Sequence, residues 1–112
     1  MLFIQDYIRI SILNVDGKRV WNMFRVWGKI MKKNRLIKDT VVEIEDYSIS
    51  RTQKVYQALE AMCYEFDLAK PIWLEINKND FIRYARTRFT QDNFIEMIEF
   101  DYLDFQVIEE EY

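Results

Sequence analysis

The chain of 112 residues contains no histidine, one cysteine, one proline and two glycines. Because histidine is absent, the sequence excludes serine–histidine and cysteine–histidine nucleophile pairs, histidine general bases and histidine metal ligands. The two glycines, Gly17 and Gly28, stand far apart and form no glycine-rich phosphate loop, so we expect no nucleotide cofactor. Any catalysis would have to use carboxylates, lysine, tyrosine or the single thiol.

That thiol, Cys63, has no second cysteine in the chain with which to form a disulfide. Such cysteine usage is typical of a reducing compartment and predicts a cytoplasmic protein. The apolar segment at 1–13 is interrupted by Asp6 and Arg9 and has no basic region before it, so it predicts neither a signal peptide nor a membrane span. Half of the residues are hydrophobic, which is enough for a single domain over 1–112 whose core needs no disulfide or metal.

Charge is segregated along the sequence, although the net charge is only −3. Residues 17–38 carry eight basic side chains and no acidic one, and residues 89–112 carry eight acidic side chains and no basic one. Three arrangements would produce this pattern: pairing within the fold, a contact between two copies, or two surfaces for different partners.

Alternating apolar residues predict strands in the first half of the chain. Residues 7–13 and a turn at 16–17 indicate a first strand and hairpin, and residues 20–31 and 36–45 indicate a second hairpin. The strand at 20–31 is apolar on both faces, which is typical of a strand that is covered on both sides. Gly28 within it indicates a bulge or the close approach of a ring from a neighbouring strand.

Helical spacing follows in the second half. Ser50 and Gln53 form a capping-box pattern, and the apolar residues after them recur every three or four positions until Pro71, which is expected to end the helix. The predicted buried stripe comprises Val55, Ala58, Leu59, Met62, Cys63 and Phe66. A second helix is expected to begin at Asn77 or Asn79. Its predicted inward residues are Phe81, Tyr84, Ala85 and Phe89.

The last predicted strand covers residues 100–109 and alternates apolar and polar positions. If it lies beside the first strand of the second hairpin, Arg25 and Lys29 can sit opposite Asp104 and its neighbours, so internal pairing explains the charge pattern most simply. Residues 109–112 are then expected to form a solvated tail. The prediction is an α+β fold: a small antiparallel sheet of three or four strands with two or three helices packed on one face, in the order ββ(β)ααβ.

Four stretches of the chain carry a resemblance to other proteins. They are MFRVWGKI at Met23–Ile30, ALEAMCYEFDLAKPIWL at Ala58–Leu74, RFTQDNFIE at Arg88–Glu96 and FDYLDFQVIEE at Phe100–Glu110. Through them the chain resembles a family of short uncharacterised proteins of gut-dwelling Firmicutes. The resemblance implies a small cytoplasmic bacterial protein and brings no activity with it. Residues 1–22 lie outside it and are interpreted as a candidate N-terminal extension.

Four carboxylates, Glu96, Glu99, Asp101 and Asp104, are the strongest enzymatic candidates, because converging acidic groups can hold Mg²⁺ or Mn²⁺. Their spacing does not favour convergence, since Asp101 and Asp104 are an odd number of positions apart and would point to opposite faces of a strand. A solvated acidic surface is the simpler explanation. The sequence therefore predicts a non-enzymatic protein, with no catalytic, cofactor-binding or metal-binding residue.

Two functional hypotheses remain. A self-associating interaction module, working as a homodimer, would cover the second face of the 20–31 strand, unless the N-terminal segment covers that face. Its candidate interface residues are Trp21, Met23, Trp27 and Met31. A nucleic-acid-related regulator would bind through basic and aromatic residues, or would use the acidic strand to mimic phosphates. Its candidate contacts are Arg25, Lys29, Lys32, Lys33, Arg83, Arg86 and Arg88. The interaction module is the preferred hypothesis, because the chain as a whole is acidic and nucleic acid is a less favoured partner.

Overall fold

The computed structural model describes residues 23–46 and 48–110, which form a four-stranded antiparallel sheet and two helices. In chain order the elements are β1 (Phe24–Lys32), β2 (Arg35–Ile44), α1 (Arg51–Phe66), α2 (Glu75–Tyr84), β3 (Arg86–Phe89), a 3₁₀ turn (Gln91–Asn93) and β4 (Tyr102–Glu110). The strand order across the sheet is β2-β1-β4-β3. The predicted α+β class is confirmed. The strand expected at 7–13 and the turn at 16–17 lie outside the described residues.

The hairpin of β1 and β2 closes through a two-residue turn at Lys33 and Asn34. Both residues have positive φ, 52° and 64° respectively. Two consecutive left-handed residues match the twist of the flanking strands, and asparagine tolerates that conformation better than most side chains do. The pairing register shifts between Ile30 and Met31, so β2 carries one extra residue near the turn.

Helix α1 forms as its sequence predicts. The hydroxyl of Ser50 accepts a hydrogen bond from the backbone N–H of Gln53, and the side chain of Gln53 accepts one from the backbone N–H of Ser50. The six residues of the predicted stripe are all buried. The helix ends before Pro71, because Asp67 adopts a left-handed conformation with φ 58° and the N–H of Leu68 turns back to the carbonyl of Cys63.

The core lies between this helix layer and the inner face of the sheet. Phe24, Val26 and Ile30 from β1 are buried beside Leu103 and Phe105 from β4, as their alternation predicts. Full burial of each large side chain stabilises the fold by about 1.5–3 kcal/mol. These five residues fix which face of each central strand points inward.

The reason for glycine at position 28 differs from the one that the sequence suggests. Gly28 lies opposite Phe105 in the sheet, but the close neighbour is Met62 of α1. A Cβ atom at position 28 would overlap the Sδ and Cε atoms of Met62. Glycine at this position therefore leaves room for the Met62 side chain of α1, and neither a bulge nor a ring on a neighbouring strand accounts for it.

The region after α1 departs most from the sequence-based expectation. Helix α2 begins at Glu75, and Asn77 in its first turn accepts a hydrogen bond at Oδ1 from the backbone N–H of Leu74, 3.0 Å away. Phe81 is buried as predicted, but Tyr84 is exposed, so that prediction was wrong. The helix ends at Ala85, which has φ 53°.

After Ala85 the chain forms β3, a strand that the sequence did not predict. Two buried asparagines hold it at the sheet edge. The Nδ2 atom of Asn77 donates to Thr87 Oγ1 and to the carbonyl of Arg88, both at 2.9 Å. Asn93 Nδ2 donates to Asn77 Oδ1 at 2.7 Å and to the carbonyl of Ile72 at 2.7 Å. Buried amides with satisfied partners position a short strand that has little hydrophobic surface of its own.

Candidate functional site

The outer face of the sheet, opposite the helices, brings the basic and acidic strands together. Arg25 on β1 is 0 % exposed, and its Nε donates to Glu43 Oε2 on β2 at 2.6 Å while its Nη1 donates to Glu109 on β4. Burial opposes the charge of Arg25, but the hydrogen bonds to Glu43 and Glu109 outweigh it and raise the pKa of the guanidinium. The predicted pairing of the two strands is confirmed within one chain.

The end of β4 is part of this arrangement. Glu109 pairs with Arg25, and Glu110 pairs with Arg51 of α1 at 2.5 Å. Both glutamates belong to the strand. The expectation of a solvated tail at 109–112 was therefore wrong for these two residues, because basic partners on β1 and α1 extend the strand to its last described residue.

Asp104 is the second charged centre of the outer face. Its carboxylate is almost fully buried and accepts two hydrogen bonds from Arg86 on β3, from Nε at 3.0 Å and from Nη2 at 2.5 Å. Lys29 Nζ approaches the same carboxylate at 3.6 Å. The hydrogen bond to Asp104 raises the pKa of Arg86, against the opposing effect of burial. One aspartate therefore joins three strands.

Two aromatic rings on this face are each in contact with a basic side chain. Lys29 Nζ lies 4.2 Å from the ring centroid of Trp27, and the guanidinium of Arg88 lies 4.4 Å from that of Tyr102. The indole N–H of Trp27 donates to Asp39 Oδ2 at 2.9 Å. These contacts engage the π surfaces of both rings, and the indole N–H of Trp27, within the chain.

The predicted interface row is only partly accessible. Met23 is buried, Trp27 and Met31 are half-buried, and Trp21 lies outside the described residues. Because Trp27 also binds Asp39 and Lys29, its ring is a constrained part of the sheet surface. The row thus offers two partly covered side chains for contact with another molecule.

The seven predicted nucleic-acid contacts do not form one site. Three of them, Arg25, Lys29 and Arg86, are paired with carboxylates. Arg88 lies on the same face of the sheet, against the ring of Tyr102. Lys32 and Lys33 lie at the hairpin turn, near the start of β4, where Lys33 N–H donates to Asp101 Oδ2. Arg83 lies on α2, whose end contacts Val107 near the other end of β4.

The candidate metal ligands are also dispersed. Asp104 pairs with arginine and lysine, Asp101 accepts from the hairpin turn, and Glu96 and Glu99 are exposed in the loop before β4. Over residues 23–46 and 48–110, no group of three or more histidine, cysteine or acidic side chains is placed to hold a metal ion. Cys63 lies on the buried face of α1, and burial raises the pKa of its thiol to about 11.

A groove that the sequence did not predict lies at the turn end of the β1–β2 hairpin, and we call it the hairpin groove. Its volume is about 610 Å³. It lies between the hairpin, the end of α1 and the loop before β4. Its apolar lining consists of Ile30, Ile37, Phe66, Leu68, Ala69, Phe94, Met97, Ile98 and Phe100. The only sequence signal for it is the placement of apolar residues directly beside charged ones, Ile37 beside Lys38 and Met97 beside Glu96.

The two walls of the hairpin groove carry opposite charge. Lys32 and Lys38 stand on the hairpin wall, and Glu96 and Glu99 stand on the loop wall. All four are exposed, and none forms an ion pair with another residue that the structure describes. Lys38 also holds its ammonium 5.5 Å from the centroid of the Phe66 ring, so it lies along the apolar floor.

Comparisons of the chain with protein-family models, with curated proteins and with solved structures find no match. Neither of the two described helices is long and apolar enough to cross a membrane. The resemblance to the Firmicutes family stays a prediction, and the function has to be argued from the surface itself.

Proposed function

We propose that this protein is a small, non-enzymatic interaction module that works as a homodimer. One observation carries the proposal: large apolar side chains are exposed around the hairpin groove. Ile37 is 54 % exposed and Met97 is 84 % exposed, and both line the groove. Their sequence neighbours Leu36 and Ile95 are exposed as well. A cluster of exposed apolar residues rimmed by charge is the usual surface of a protein–protein contact.

The state of the charged residues supports the same proposal. The sheet cations that would attract phosphates are already neutralised by carboxylates of the same chain, at Arg25, Lys29 and Arg86. The acidic strand β4 is paired in the same way, because Asp104 and Glu109 bind these basic side chains. Electrostatic attraction of a highly charged partner is therefore weaker than the sequence alone suggests. We also propose a cytoplasmic location, which the single buried thiol supports.

Sedimentation equilibrium over a concentration series up to tens of micromolar tests the proposal. We expect a dimer, and we expect Ile37→Ser combined with Met97→Ser to shift it to monomer. Ile82→Ser is the matched control, because Ile82 is 83 % exposed on α2, away from the groove. A wild-type protein that stays monomeric throughout the series would contradict the proposal.

Direct nucleic-acid binding is a second candidate function, favoured by the two cation–aromatic pairs on the outer sheet face. Lys29 with Trp27 and Arg88 with Tyr102 are the kind of stacking platform that single-stranded nucleic acids use. Titration of a random single-stranded oligonucleotide at low and high salt tests it. Salt-sensitive binding that Arg88→Gln weakens would support this function, and no binding at low ionic strength would remove it.

A further inference from the structure

We propose that the partner in the hairpin groove is a second copy of this chain, related by a twofold axis, with the lysine wall of each copy facing the glutamate wall of the other. The inference rests on the proposed self-association and adds its surface and orientation. It is argued from the charges of the hairpin groove, which has Lys32 and Lys38 on one side, Glu96 and Glu99 on the other, and an apolar floor between them.

A twofold axis that runs along the groove makes the groove complementary to itself. In a twofold contact the same patch is used on both subunits, and with the axis in this direction a residue on one wall meets the opposite wall of the partner. Here this rotation brings lysines against glutamates twice, once on each side of the axis. A twofold axis that runs across the groove from wall to wall would bring lysines against lysines and glutamates against glutamates, which costs free energy.

The balance of charge favours a second copy over another kind of partner. Two exposed lysines face two exposed glutamates across the groove, and Asp67 at the end of α1 adds one further acid. A uniformly basic or uniformly acidic partner would be attracted by one wall and repelled by the other. A second copy of this chain has both a basic and an acidic wall, so each of its walls can face a wall of opposite charge.

The apolar floor and the charged walls have separate roles in this contact. Burial of the exposed side chains of Ile37 and Met97 between two copies supplies most of the affinity. The four charged side chains are exposed and lie at the rim, where water and salt screen each pair and its contribution to the affinity is small. Their main effect is to fix the orientation of the two copies and to speed their association.

Charge reversal of one wall at a time tests the orientation. The first variant is Lys32→Glu with Lys38→Glu, and the second is Glu96→Lys with Glu99→Lys. Each alone makes both walls alike, so we expect each homodimer to weaken by about tenfold or more in Kd. An equimolar mixture should form a heterodimer of nearly wild-type affinity, because both wall contacts are then between opposite charges. The variant with all four reversals should regain the homodimer.

The matched control is Lys78→Glu with Arg83→Glu, which makes the same change in net charge on α2, away from the groove. It should dimerise as the wild type does. Sedimentation velocity measures each species, and native mass spectrometry identifies the heterodimer in the mixture. Far-UV circular dichroism confirms that each variant is folded, which exposed positions should allow.

The outcomes separate the two proposals. If the wild type dimerises and single-wall reversal leaves the Kd unchanged, or if the mixture fails to form a heterodimer, the twofold groove contact is wrong while the interaction module stands. If the wild type is monomeric, both proposals fail. Recovery in the mixture and in the fourfold variant, with the α2 control unaffected, supports the orientation.

Discussion

The two faces of the sheet bury side chains of opposite character. On the inner face Phe105 is 0 % exposed and packs among rings and aliphatic chains, whereas on the outer face Arg25 is equally buried and is bonded to Glu43 and Glu109. Apolar packing is non-directional and tolerates some change of shape. A buried ion pair depends on the correct partner in the correct place. The inner face therefore supplies stability, and the outer face selects the pairing of strands.

The selection acts through register. In the native pairing Lys29 lies opposite Asp104 and Arg25 lies opposite Glu109. A slip of one residue between β1 and β4 would separate both pairs and would turn charged side chains toward the core. The segregated charge of the sequence is thus used within the sheet, whereas Lys32, Lys38, Glu96 and Glu99 at the hairpin groove take no part in this pairing.

The largest effect is expected from removing the strand that both faces share. Strand β4 lies between β1 and β3, so deletion of residues Phe100–Tyr112 removes inner residues and outer carboxylates together. We expect loss of the cooperative thermal transition, measured by circular dichroism. A truncated protein that keeps its transition would show that β4 is dispensable and would contradict the roles assigned to the two faces of the sheet.

A smaller effect is expected from a single cavity on the inner face. Phe105→Ala should lower the free energy of unfolding by about 3–5 kcal/mol, because the ring contacts Trp73, Phe81 and Phe89. Urea unfolding of the variant and the wild type measures the difference. Ile108→Ala is the control on the same strand, since Ile108 is exposed, and it should change stability little.

Removing the charge of Asp104 on the outer face should lower the free energy of unfolding by less than the inner-face cavity does. Asp104→Asn keeps the shape of the side chain but removes the counter-charge of Arg86 and Lys29, and we expect a loss of about 1–2 kcal/mol. Partial exposure of Arg86 limits the loss, because water can solvate its guanidinium. The measurement is again urea unfolding. A loss larger than that of Phe105→Ala would reverse the roles assigned to the two faces.

The last effect appears only at high pH and concerns a titratable group on the inner side. Burial raises the pKa of Cys63 from 9.0 to about 11, so the unfolded chain loses the thiol proton at lower pH than the folded protein does. The resulting stability is complete below pH 9 and is lost as the pH rises toward 11. The slope is at most about 1.4 kcal/mol per pH unit. Unfolding of the wild type and of Cys63→Ala over this range should diverge by that dependence, and parallel curves would contradict it.

The elements that could be predicted are those whose signals are local and repeated. Ser50, Gln53 and the stripe that follows specify the start and the buried face of α1, and alternation with β-branched residues specifies the β1–β2 hairpin. The pairing of β1 with β4 could be predicted because charge adds a second pattern to the apolar one. In each case several residues give the same answer independently.

The missed features depend on contacts between distant residues or on single backbone conformations. Strand β3 has only four residues, and the chain turns from α2 into it through a left-handed alanine, Ala85, where glycine or asparagine would have been a clear signal. Asn77 is a good cap by composition, yet it bonds backward from inside the helix. The hairpin groove joins residues as far apart as Ile37, Phe66 and Met97, and no sequence pattern brings these three together.

The strand order also has a consequence during synthesis. The two central strands, β1 and β4, are the described strands that are farthest apart along the chain. A nascent chain emerging from the ribosome can form the β1–β2 hairpin and α1 early, because their contacts are local. Until β4 has left the ribosome, the edge of β1 that pairs with β4 has no neighbouring strand. The inward-facing phenylalanine and isoleucine of β1 stay partly uncovered over the same period. A ribosome stalled before residue 100 would therefore display a chaperone substrate, with an open strand edge next to a row of apolar side chains.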